Sequence, residues 1–329
     1  MLSSHQAASP ARSLGQIASS FLPFLALCVV MYVTLDVSFW LTMALAVPAA
    51  GFVVRIFIIQ HDCGHGAFFR SRAANDWVGR LCSLATLTPY ANWRRQHAAH
   101  HANWNNLDRQ ESGSDIYSAC LTTRQYQHLP PGRRRFYRLV RHPTVALITL
   151  PPLVFLLLYR LPFDTPAHWR RERWSVHGTN LALAAMIVGL GLFVGFGAVA
   201  LVQLPIMVFA AIIGVWLFSV QHRFEAAHWF GRTEWSAAAA SLRGTSYLRL
   251  PAVLRWFTGN IGFHHVHHLN PRIPNYRLAA CHAASEYLQQ APTLTLGGAL
   301  RSAAYWLWDE AQGRMVRFRD CPPDGDRQG

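Results

Sequence analysis

The chain reads as an all-α integral membrane protein: four transmembrane helices carrying a cytosolic, histidine-rich helical cap. Three observations predict this. Hydrophobic residues make up 52% of the 329 residues and only 14% are charged, where a soluble domain carries roughly a quarter charged. The apolar residues gather in long runs of the kind that cross a bilayer. All 30 basic residues are arginines, and they leave Leu14–Val54 and Ser175–His222 empty. They crowd between and after those stretches, as the positive-inside rule requires.

Each element follows in order. Residues 1–15 are polar and Ser/Ala-rich and are expected to be flexible. Residues 16–60 form a first transmembrane hairpin from the runs Phe21–Leu35 and Phe39–Phe57, with a tight outside turn near Asp36. The first run is too long for a secretory signal and lacks a prompt A-x-A site. Residues 61–174 make the first part of the cap. Within it Trp77–Tyr90, which contains Arg80, is expected to lie along the membrane surface.

Val145–Tyr159 is short for a span and broken by Pro151–Pro152. A second hairpin, 178–221, comes from Asn180–Gly197 and Leu201–Ser219, and 222–329 completes the cap. Parity settles the broken run. If the histidines on either side of it serve one site, the crossings between them must be even in number, so 145–159 is re-entrant or interfacial. Pro322–Gly329 reads as a disordered tail.

The formal net charge of +14 invites a nucleic-acid reading. The position of the arginines argues instead for anionic headgroups, or an acidic redox or carrier partner, at the cap face. The six cysteines form no C-x-x-C pair, so neither a zinc ribbon nor disulfide stapling is indicated, and reduced, cytosol-facing thiols are expected.

The chemistry lies in the 17 histidines. His61 and His65 stand at i and i+4. His97, His100 and His101 stand at i, i+3 and i+4, and His264, His267 and His268 repeat that spacing. Each group shares a helical face, while His265 falls about 100° away. Imidazole suits iron, copper, zinc and nickel. Eight such ligands exceed one tetrahedral site, so two metals are implied. His222 emerges from the fourth run much as His61 emerges from the second.

At H-D-C-G-H-G (His61–Gly66), W-R-R-Q-H-A-A-H-H (Trp93–His101), Q-H-R-F-E (Gln221–Glu225) and N-I-G-F-H-H-V-H-H-L-N-P-R-I-P-N-Y (Asn260–Tyr276) the sequence resembles the membrane fatty acid desaturase family. Within it the chain looks most like the acyl-lipid, omega-type branch of bacteria and plastids. The resemblance implies a centre of two non-haem iron ions that uses O2 as co-substrate to place a double bond in a fatty acyl chain. That chain would be linked to lipid, CoA or a carrier protein.

Carried over, the ligands are His61, His65, His97, His100, His101, His264, His267 and His268. His222 is added in preference to His228, which lies on a different face at helical pitch. Asn260 is a further water-bridged or outer partner. Asp62, Asp108, Asp115 and Glu225 are candidates to orient the ring nitrogens. Trp93, Trp104, Trp229 and Tyr276 flank the motifs, either lining a substrate tunnel or standing as interfacial aromatics.

One departure is His101-Ala-Asn-Trp-Asn-Asn-Leu-Asp108, which lacks the usual glycine before Asn-Leu-Asp. It points to a distinct substrate or regiochemistry. With no H-P-G-G haem motif and no cysteine set for an iron–sulfur cluster, an external, ferredoxin-like donor is implied. The location implied is a bacterial inner membrane with the histidine face and both termini cytoplasmic. Hydroxylase, ketolase, epoxidase and acetylenase share the same chemistry. A membrane haem carrier would place its histidines within the spans, and a metal transporter would need a polar path along them. Only Gln203 is conspicuous between Asn180 and Ser219.

Overall fold

The computed structural model describes residues 2–109 and 119–321; Asp115 and the tail from Pro322 lie outside them. In chain order the elements are α1 (Pro10–Thr34), α2 (Phe39–His65), α3 (Arg72–Thr86), α4 (Tyr90–Asn103), β1 (Leu121–Thr122), α5 (Thr123–Gln127), α6 (Pro131–Val140), α7 (Leu150–Leu156), α8 (Arg170–Val194), α9 (Phe196–Val220), α10 (Ala237–Arg243), β2 (Tyr247–Arg249), α11 (Ala252–Phe257), α12 (His264–Leu269), α13 (Asn275–Ala283), α14 (Glu286–Gln289), β3 (Thr293–Thr295), α15 (Leu296–Ser302), β4 (Tyr305–Asp309) and β5 (Arg314–Arg317).

Among the described residues α1, α2, α8 and α9 are the four helices long and apolar enough to cross a membrane. They are the two hairpins read from the sequence. Lipid offers no hydrophobic drive between spans, so close packing and polar bridges must hold them. Small residues supply the packing: Ala46, Ala49 and Ala50 of α2 are fully buried against Met31 of α1 and Val202, Ile206 and Ala210 of α9. Thr34 and Thr42 share a 2.9 Å hydroxyl hydrogen bond across the first hairpin. Gln203, the conspicuous polar residue of α9, donates to the Tyr32 hydroxyl of α1 at 3.3 Å, so it ties two spans together.

Several helix bounds differ from the sequence reading. α1 starts at Pro10, not near residue 16, because proline suits the first turn and the Ser13 hydroxyl anchors that turn to the Phe68 carbonyl at 2.6 Å. α8 starts at Arg170, ahead of its apolar run. α3 buries Asn75, Gly79 and Cys82 and leaves Trp77 and Leu81 outside. Gly79 is required there, since a Cβ would stand 2.2 Å from the Tyr90 ring. The broken run is a π turn at Val145–Thr149 followed by the seven-residue α7. Together with Leu158–Arg160 it bends 53° from α6.

The cap is helical around the histidines but also holds two short sheets that the sequence reading omitted. β1 runs parallel to β4 and β4 antiparallel to β5, while β2 runs parallel to β3. These strands secure the segment near 297–308 to the rest of the cap. Trp308 of β4 packs with Trp229 and Met315.

Candidate metal centre

α2 has 27 residues and so spans about 40 Å, longer than a hydrocarbon core of about 30 Å. It is thus long enough for its last two turns, which carry His61 and His65, to stand clear of the span. Gly66 ends the helix in the left-handed region, φ +68°, with its N–H turned back to the Asp62 and Cys63 carbonyls, a conformation glycine adopts without strain. α4 brings His97, His100 and His101. His222 lies two residues beyond α9. α12 is buried on every side and brings His264, His267 and His268.

Nine imidazoles meet there. His61, His65, His97, His101 and His267 form one set and His100, His222 and His268 a second. His264 adjoins the second set through 2.9 Å and 3.0 Å Nε2 contacts to His222 and His268. The sets interleave in sequence. Within each motif the i, i+4 pair stays together, as His61/His65, His97/His101 and His264/His268 do. The i+3 histidine crosses to the other set: His100 joins the second and His267 the first. A single shared face, as the spacing alone suggests, is thus split in two by the rotation between neighbouring positions.

Hydrogen bonding does not account for these contacts. An imidazole Nε2 has one in-plane function, a hydrogen or a lone pair. The His267 Nε2 lies 3.0 Å from both His61 and His101, and the His101 Nε2 lies also 3.2 Å from His97. The His264 Nε2 meets two partners as well. The buried His65 Nε2 has no hydrogen-bond partner among the described residues. Lone pairs converging on a cation satisfy all of these at once. The residues present therefore fit two metal ions.

The electrostatics agree. Burial first, and neighbouring imidazoles second, push His97, His101, His222, His264, His267 and His268 well below the usual histidine range. They stand neutral at pH 7, the form that ligates metal.

Of the candidate acids among the described residues, only Asp62 touches the site. One oxygen sits 3.2 Å from His61 Nδ1, and the other accepts from the Asn275 backbone N–H at 2.6 Å and side chain at 2.9 Å. Asp108 instead accepts from the Arg232 N–H, and Glu225 binds Tyr305 and Arg314. Asn275 was missed by sequence reasoning; its place in R-I-P-N-Y, just after the third histidine motif, was the available signal.

His228 lies apart, with its Nδ1 3.3 Å from Arg243, and His265 pairs with His282 at 3.0 Å. The Asn260 amide donates to the Asn275 carbonyl at 3.3 Å. Trp93 stacks on His97, with ring centroids 4.6 Å apart, and Trp104 lies 4.5 Å from His268. Trp229 packs in the cap instead, and Tyr276 bonds Ser9 and Ser13 of the α1 region.

Four helices long and apolar enough to cross a membrane, and nine imidazoles gathered where α2, α4, α9 and α12 meet, define a membrane protein with a poly-histidine site able to hold metal. The family model described as fatty acid desaturase matches residues 38–295, and the chain belongs to that family, whose members are oxidoreductases acting on acyl chains. It is 43% identical to a fatty acid desaturase of Bacillus subtilis over 95% of this chain and 89% of that protein. An endoplasmic-reticulum acyl-lipid omega-3 desaturase (cytochrome b5) of Arabidopsis thaliana is 29% identical over 87% and 75%. A Synechocystis sn-1 acyl-lipid omega-3 desaturase (ferredoxin) is 26% identical over 68% and 61%.

Proposed function

We propose that the chain is an O2-dependent two-iron desaturase that introduces a double bond into a fatty acyl chain at the membrane, with electrons from an external donor. The observation that carries this is the separation of nine histidines into two adjoining sets. In this reading His61, His65, His97, His101 and His267 hold one iron, and His100, His222, His264 and His268 hold the other. When bound, the iron pair supplies an O2-derived oxidant strong enough to take hydrogen from unactivated methylenes, which no side chain can do.

The chain's own groups prepare that chemistry. Asp62, held by Asn275, fixes the tautomer and direction of His61. Trp93, Trp104 and the burial of α12 keep water from the rings. The spans let a lipid-borne chain approach sideways. O2 leaves as two waters, so two electrons beyond those of the acyl chain are needed per double bond. A ferredoxin-like donor is favoured by the cyanobacterial relatives; its acidic surface suits the arginine-rich cap, which this reading places in the cytoplasm at a bacterial inner membrane. Val145–Tyr159 then stays on the cap side, which keeps the crossings between the histidine motifs even.

The test is the acyl profile of cells expressing the chain with such a donor, beside a His100→Ala version. A species lighter by two hydrogens, absent from the variant, is expected. A product heavier by oxygen would overturn desaturation in favour of hydroxylation, ketolation or epoxidation, and a triple bond formed in an already unsaturated chain would indicate an acetylenase.

A further inference from the structure

Between α1, α2, α11 and α13 lies a cavity of about 430 Å³. Its lining brings together Arg12, Arg55 and Arg255 and, among the described residues, no acid. Arg55 belongs to a spanning helix and is 7% exposed. Its guanidinium lies 3.8 Å over the Trp256 ring and donates to the Trp256 carbonyl. A cation held at such depth without a carboxylate is costly and marks a functional site. Gln16, 5% exposed, also lines the cavity, and neither end of its amide has a hydrogen-bond partner among the described residues. The cavity thus offers a buried, unpartnered amide and surplus positive charge with no carboxylate of its lining to balance it.

We propose that this cavity binds the phosphate of a phospholipid, and that this lipid carries the acyl substrate; the second clause rests on the desaturase reading above. Arginines recognise phosphate oxygens in paired, charge-assisted hydrogen bonds. The surroundings select a lipid source for that phosphate. The two helices that carry Arg12 and Arg255 also expose apolar side chains, Leu14 and Leu22 on α1 and Val253, Leu254 and Trp256 on α11, which fits an acyl–headgroup boundary. The cavity also communicates with the metal centre. Asn275, one of its walls, is the residue that holds Asp62 against His61. Asn260 lines the same wall.

The test uses the full-length, iron-loaded protein in detergent. Native mass spectrometry reads retention of phosphatidylglycerol against monogalactosyldiacylglycerol bearing the same chains, with oleoyl-CoA and inorganic phosphate as competitors. The wild-type protein is expected to prefer phosphatidylglycerol by about tenfold, the scale of one charge-assisted hydrogen bond. Arg55→Gln and Arg255→Gln are expected to lose that preference at unchanged iron content, while Arg319→Gln, in an exposed ion pair of the cap, keeps it. Should Arg55→Gln fail to fold, Arg12→Gln and Arg255→Gln on the exposed rim carry the comparison.

Equal retention of the two lipids, or variants that keep the wild-type preference, would overturn the proposal. So would displacement of phosphatidylglycerol by oleoyl-CoA or inorganic phosphate at equal concentration, which would move the phosphate to another source. A phospholipid preference without any desaturation would leave the cavity assigned and defeat the desaturase reading. Desaturation without the preference would do the reverse.

Discussion

The two histidine sets are neighbours built by different means. The first has five rings, three of them, His65, His97 and His101, only partly buried, and a carboxylate, Asp62, against one ring. The second has four rings, all buried. No carboxylate contact supports it among the described residues, and the Nδ1 atoms of His222, His264 and His268 have no hydrogen-bond partner there. On the proposed reading the first set has a ligand to spare and an outer partner to tune it, whereas the second has no ring to spare.

That contrast is sharpest under single deletions. His264→Ala leaves the second set three rings, so the purified protein is expected to hold about one iron where the wild type holds two. Activity should fall by more than the roughly 10–100-fold typical of losing an outer partner. His97→Ala leaves four rings in the first set; iron content should stay near the wild-type value, with activity down on that 10–100-fold scale. Equal iron loss in the two variants, measured by elemental analysis, would erase the distinction. Asp62→Asn should weaken only the first set, speeding release of a single iron to a chelator by about tenfold. Release of both irons together would show that the sets are not independent.

Acid should act on both sets. His97, His101 and His267 of the first and His222, His264 and His268 of the second are held below the ordinary value near 6.5 by burial and neighbouring imidazoles, so between the folded and unfolded values the unfolded chain binds more protons. Stability of the metal-free protein is therefore full above about pH 6.5 and is lost as pH falls below it. Protons also compete with metal, so iron retention should decline in the same direction. Thermal unfolding of chelated protein across pH 5–8 checks the sign; greater stability on the acid side would contradict it. The smallest effect expected is that of His228→Ala, which should leave iron content unchanged, because His228 faces Arg243 and Trp308.

Much of this was legible before folding. Runs of apolar residues marked the spans because a bilayer imposes length, and the histidine spacing marked the site because a helix imposes pitch. Less legible was the division of adjacent histidines. His100 and His101, or His267 and His268, differ by one residue, and which set each joins depends on where α2, α4 and α12 cross. Likewise Asp62, Asp108 and Glu225 look alike in sequence; only the fold brings Asn275 onto Asp62. The strands escaped notice because β1 has two residues and pairs across the chain with β4, too few positions for alternation to appear.

The most direct test of the two-set account is iron per chain, with Mössbauer spectra, for the wild-type protein and His264→Ala. Two irons in distinguishable environments, reduced to the first alone in the variant, are the predicted result. A wild-type protein that binds a single iron, or none under iron-replete expression, would contradict it.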